Sequence, residues 1–204
     1  MNRIRIYLTI LLALLLGNFS LVAKEQQEIN ILFIGNSFTA RHNLSYLVKT
    51  VLEEGKPDLT VNVSDVIYGG QSLFQHTEYY FSQTFIQQHT IDIGTIENRI
   101  GKMQQLMETT ELPQDYIHFW QNVRKSTWIP EFPKSYIEIA INRHKSLLNN
   151  NNRTKWDYVV LQSWMDETDD MNDGYAKYVR SLANIAKEQG AGLIFYITAP
   201  DIQN

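Results

Sequence analysis

The chain has 204 residues, a formal net charge of −4 and no cysteine. That length holds one domain with a real core. The lack of cysteine excludes disulfides and thiolate–metal centres, and the lack of a basic patch excludes nucleic acid as a partner.

Arg3 and Arg5 precede an apolar run from Ile6 to Leu16, and Ser20-Leu21-Val22-Ala23 follows. A charged n-region, an apolar h-region and a small residue at a cleavage position make residues 1–23 a signal peptide, with the cut after Ala23. The run is shorter than the roughly 20 residues a spanning helix needs. The expected product is therefore an exported domain, 24–204, periplasmic or secreted, with no integral membrane segment after signal removal. An uncleaved N-terminal anchor is the alternative. An exported chain without disulfides suits a bacterial envelope and must hold itself by packing.

The first predicted strand, about Asn30 to Ile34, is a β-branched apolar run that ends abruptly in Gly35-Asn36-Ser37. A serine on the turn after a central parallel strand projects from the carboxyl edge of the sheet, where α/β folds place their ligands. Glycine before it allows a sharp turn. Gly, Asn and Ser are also ordinary turn residues, so the motif alone permits a plain strand-to-loop turn. A helix follows, with Leu44, Leu47, Val48, Val51 and Leu52 on one face, and His42 is expected to begin it. A second strand runs from Leu59 to Tyr68 and stops at Gly69-Gly70.

From about 72 to 134 the pattern becomes a helical insertion rich in aromatics. Ile93, Ile96, Ile100, Met103 and Met107 form one stripe, and Tyr116, Phe119, Trp120 and Val123 another. Such stripes face a core; a lid over a substrate cleft is the sharper alternative. A helix over Ser135 to Leu148, a strand over Asp157 to Leu161, a helix bearing Tyr175, Tyr178, Val179, Leu182, Ala183 and Ala186, and a strand over Leu193 to Thr198 complete the chain. The order β-α-β-(helices)-β-α-β predicts an α/β fold, a parallel sheet with helices on both faces. The acidic loop with Asp166, Glu167, Asp169, Asp170 and Asp173 fails the calcium-loop spacing, since Met171 stands at a ligand position; it reads as a solvated loop, with no metal.

With these elements placed, the chain resembles the SGNH hydrolases, the superfamily that includes GDSL-type lipases and acylhydrolases. It is similar in particular to the subgroup whose first strand ends in Gly-Asn-Ser-Phe-Thr, here Gly35 to Thr39. The resemblance spans Ile29 to about Pro200. It implies a three-layer α/β/α, flavodoxin-like fold and an exported serine esterase acting on carboxylic esters, glycan O-acetyl groups among them, without a cofactor. Ser37 would be the nucleophile. The oxyanion hole would comprise the Ser37 amide, the amide of Gly70 (Gly69 competes) and the side chain of Gln162, where the family usually has asparagine. Asn36 and His76 would line the site, His76 through the stretch Gly69-Gly70-Gln71-Ser72-Leu73 and three residues on. The family's later Asp-x-x-His block is absent: Asp201 is followed by Ile-Gln-Asn. The expectation is a C-terminally truncated chain, a fragment lacking the catalytic Asp and His. A non-catalytic exported binding domain on the same fold is the alternative. Of the five histidines, His144 on an apolar helix face reads as packed, and His89 and His118 as structural or exposed.

Overall fold

The computed structural model describes residues 26–150, 153–163 and 174–196. The expected signal peptide, the acidic loop, the last residues of the fourth predicted strand and Asp201 lie outside them.

Four strands form one all-parallel sheet: β1 Gln27–Gly35, β2 Leu59–Ile67, β3 Tyr158–Leu161 and β4 Gly192–Phe195, in the order β2-β1-β3-β4. With helices on the sheet's faces, this is the predicted α/β/α layering. Ser37 begins a four-residue helix, α1 (Ser37–Ala40), with no intervening loop. A 3-10 turn, Arg41–Asn43, then leads to α2 (Leu44–Gly55). His42 and Asn43 sit in that turn at φ 56° and 53°, so His42 precedes the helix it was expected to begin. Between β2 and β3 lie α3 (Leu73–Glu78), α4 (Gln83–Ile86), α5 (Ile93–Glu108), α6 (Gln114–His118) with a π turn at Phe119–Val123, and α7 (Lys134–Leu148). The last helix, α8 (Tyr175–Glu188), joins β3 to β4.

The strand alternation divides the apolar residues between two faces. Leu32, Ile34, Val66, Tyr68, Val159 and Leu161 point into the larger core, beneath α3, α5, α7 and α8. Ile31, Phe33, Val61 and Val160 point the other way, toward Val48 of α2. Both insertion stripes are core except at Ile93, which is exposed at the start of α5: Ile96, Ile100 and Met103 are buried on α5, as are Tyr116, Phe119 and Val123 beyond it, with Met107 and Trp120 half-buried. The α2 stripe is a correction. Leu47, Val51 and Leu52 are exposed, because α2 is the sole described helix on its face and meets only the β1–β2 side. Among the described residues, no helix is long and apolar enough to cross a membrane.

Candidate active site

In a sheet ordered 2-1-3-4, the chain leaves the first strand toward opposite sides, and the crevice beyond the carboxyl ends of β1 and β3 is the switch point where such folds hold ligands. β1 ends there at Gly35, with Asn36 and Ser37 next in the chain, and Gln162 follows the end of β3 beside them.

Asn36 caps α1: its Oδ1 accepts from the Phe38 amide at 3.1 Å, while its Nδ2 donates to the Gln71 carbonyl at 3.1 Å. It thereby ties the β1 turn to the loop after β2. Asn36 is fully buried, so it lies under the turn and presents no surface to a cleft. Gln162, also fully buried, accepts through Oε1 from the Asn36 amide at 2.9 Å and from the Thr39 hydroxyl at 3.0 Å. A backbone N–H can only donate, which fixes the orientation of the Gln162 amide. Its Nε2 then donates to the Ser163 carbonyl at 2.8 Å, and the side chain, as buried as Asn36, braces the turn from beneath and presents no surface to a cleft. Ser163 continues the lock, its hydroxyl accepting from the Leu73 amide at the start of α3.

Gly35 is required by this closeness. A Cβ there would overlap the Thr39 hydroxyl and sit 2.8 Å from Gln162 Oε1. Gly70 is required by conformation: its φ is +68°, and open space surrounds the position a Cβ would take. Gly69 instead abuts the Tyr136 hydroxyl. Ser37 is half-buried, and among the described residues its hydroxyl makes no hydrogen bond.

His76 is fully buried on α3. Its Nε2 lies 3.0 Å from the Gly35 carbonyl and its Nδ1 2.8 Å from the Ser82 hydroxyl. The carbonyl cannot donate, so Nε2 carries the proton and Nδ1 accepts from Ser82. Burial, aided by the Arg143 charge and opposed by the Gly35 bond, pushes its pKa down to about 3. Both ring nitrogens are engaged away from Ser37. His144 is packed, as read from the sequence, whereas His42, His89 and His118 are exposed. The aromatic shell around His76, made by Tyr68 and Tyr80, carried no signal in the sequence beyond its composition.

A polar groove of about 740 Å³, lined by Asn30, Asn62, Gln88, Arg153 and Lys155 among others, lies toward the amino ends of the strands, away from Ser37. Among the described residues, no group of three or more His, Asp or Glu side chains could hold a metal. Fold and site define a doubly wound α/β domain with a serine turn at its switch point. Compared with known protein families, curated proteins and solved structures, the chain has no match.

Proposed function

We propose that the chain carries the serine turn of an exported SGNH-type hydrolase acting on carboxylic esters, glycan O-acetyl groups among them. Ser37 would attack the acyl carbon once a base takes its hydroxyl proton, a base that no described residue supplies in contact with it. The amides of Ser37 and Gly70 receive the oxyanion, with Gln162 bracing the turn beneath them, and each fixed donor is worth roughly 10²–10³ in rate. One observation supports this above others: among the described residues the Ser37 hydroxyl at the carboxyl edge makes no hydrogen bond, while Asn36 before it and Thr39 two residues after it are bonded to Gln162.

The second reading, a non-catalytic exported binding domain, has its own support. Serine needs a base to take its proton. None of the five histidines bonds Ser37, and His76 has no free nitrogen. The test is hydrolysis of p-nitrophenyl acetate by the purified chain beside Ser37→Ala. Turnover that disappears in Ser37→Ala supports the hydrolase. Equal background in both is what a chain lacking the catalytic Asp and His gives, and leaves the binding domain as the reading of this chain, tested by titration with an acetylated oligosaccharide.

A further inference from the structure

We propose that His76 is a positioning residue for Ser37, acting through the Gly35–Asn36 peptide as a neutral Nε2–H imidazole; the proposal rests on the hydrolase reading above. A peptide unit is planar, so fixing its carbonyl and its N–H fixes its orientation. Here both ends are held. The Gly35 carbonyl accepts from the Tyr68 amide at 3.1 Å and from His76 Nε2 at 3.0 Å. The Asn36 amide on the far side donates to Gln162 Oε1 at 2.9 Å. The three partners come from three elements: the end of β2, helix α3 and the end of β3. The next unit is held at its carbonyl, the Asn36 oxygen accepting from the Thr39 and Ala40 amides at 3.0 and 3.2 Å. The groups leading up to the Ser37 amide are therefore aimed, while among the described residues the Ser37 hydroxyl makes no hydrogen bond.

His76 suits this role because its own tautomer is set. Ser82 donates its hydroxyl to Nδ1 at 2.8 Å and its amide to the His76 carbonyl at 2.8 Å. The ring packs against Tyr68 and Tyr80, with centroids 5.1 and 6.1 Å away. The facing charged group is Arg143, which lies over Tyr68 and disfavours a second cation. The imidazole is therefore a fixed donor to a carbonyl and takes no proton from substrate or serine. It acts only by aiming the turn, where an error near 1 Å can cost on the order of 10² in rate.

The test uses the full chain and three variants. His76→Gln keeps an N–H donor near the place of Nε2, His76→Leu removes it at similar volume, and Ser82→Ala frees the tautomer. The readouts are the phosphonylation of Ser37 by a fluorophosphonate, resolved into rate and affinity, unfolding in urea, and ¹⁵N resonances of the imidazole. The expected result is a roughly ten- to hundredfold slower rate in His76→Leu with unchanged affinity. His76→Gln should recover most of that rate even where it unfolds as readily as His76→Leu. The wild-type imidazole should be neutral and Nε2-protonated near pH 7, with scalar coupling to the Gly35 carbonyl. Equal rates in the Gln and Leu variants, or an Nδ1-protonated ring, would overturn the proposal. Should wild type and Ser37→Ala label alike, the hydrolase reading fails by itself. The clamp is then decided by the coupling to Gly35 and by whether His76→Gln preserves the Asn36 amide resonance that His76→Leu displaces.

Discussion

Two buried histidines sit in two regions of the molecule and show how one chemistry serves two ends. His76 stands under the serine turn at the switch point; His144 stands in the helical layer, on α7. Each is fully buried, and each bonds one backbone carbonyl and one hydroxyl. The tautomers are opposite. His144 donates from Nδ1 to the Ala140 carbonyl at 2.8 Å and accepts at Nε2 from the Thr84 hydroxyl at 2.7 Å. Thr84 in turn accepts from Arg99 at 2.8 Å, so this network staples α4, α5 and α7 together. The His144 carbonyl belongs to its own helix, one turn back. The His76 carbonyl belongs to β1, across the fold. A local carbonyl makes a staple, and a distant one transmits position.

The largest expected effect breaks only the switch-point side. Gly35→Ala drives a methyl into Thr39 and Gln162, both already bonded in place. We expect a loss of about 3 kcal/mol, at the upper end for overpacking, read as a lowered urea midpoint together with lost Ser37 labelling. Gly101→Ala on α5, where nothing lies near the added carbon, is the control and should stabilise by about 0.5–1 kcal/mol. A Gly35→Ala protein as stable as wild type would show that the clamp yields.

The second effect acts on both regions at once. His76 is held down to about 3 and His144 to about 4 from the ordinary 6.5, in both cases first by burial. Folded values below unfolded ones mean that unfolding takes up protons. The stabilisation is complete above pH 6.5 and is lost as pH falls toward the folded values. Each histidine should contribute a slope of roughly 1.4 kcal/mol per pH unit within that window. Urea midpoints measured from pH 7 to pH 4.5 check this. His144→Leu should remove its own share of the slope, cost about 1–3 kcal/mol near pH 7 by leaving the buried Thr84 hydroxyl without its acceptor, and leave Ser37 labelling unchanged. A labelling defect equal to that of His76→Leu would erase the distinction between staple and positioning residue.

The sheet and its serine turn were legible because strand ends declare themselves. Apolar β-branched runs stop at Gly35-Asn36, Gly69-Gly70 and Gln162-Ser163, and the structure ends β1, β2 and β3 at or within a residue or two of these stops. The insertion stripes were legible for the same periodic reason. What Gln162 does was not, since residue type says that an amide is present but not which end faces which neighbour. The orientation depends on the Asn36 amide, brought there by β1–β3 pairing. His76 was singled out by its distance from Gly70, but its burial follows from Tyr68 and Tyr80 closing over it, residues from two other segments. Periodicity misled on α2, where Leu47 and Val51 repeat correctly yet lie exposed. A stripe states which residues share a face, and only tertiary packing states whether that face is covered.

The smallest effects sharpen the contrast by removing one hydroxyl from each region. Thr84→Val deletes the group that His144 Nε2 and Arg99 both use, so two partners lose a bond; about 1–2 kcal/mol is expected. Ser82→Ala deletes the donor to His76 Nδ1 alone and should cost about 1 kcal/mol. The Ser82 amide still bonds the His76 carbonyl in that variant, so the ring keeps its place while its tautomer is no longer enforced. The consequence differs in kind as well as in size. Thr84→Val should lower the urea midpoint without touching the β1 turn. Ser82→Ala should lower the midpoint less than Thr84→Val does, yet broaden or shift the Asn36 amide resonance, because some imidazoles then present an unprotonated Nε2 to the Gly35 carbonyl and repel it. Backbone ¹⁵N spectra of the two variants, recorded at one pH, decide the matter. An undisturbed Asn36 amide in Ser82→Ala would mean that the bond to Gly35 sets the tautomer unaided, and that the Ser82 hydroxyl is packing rather than control.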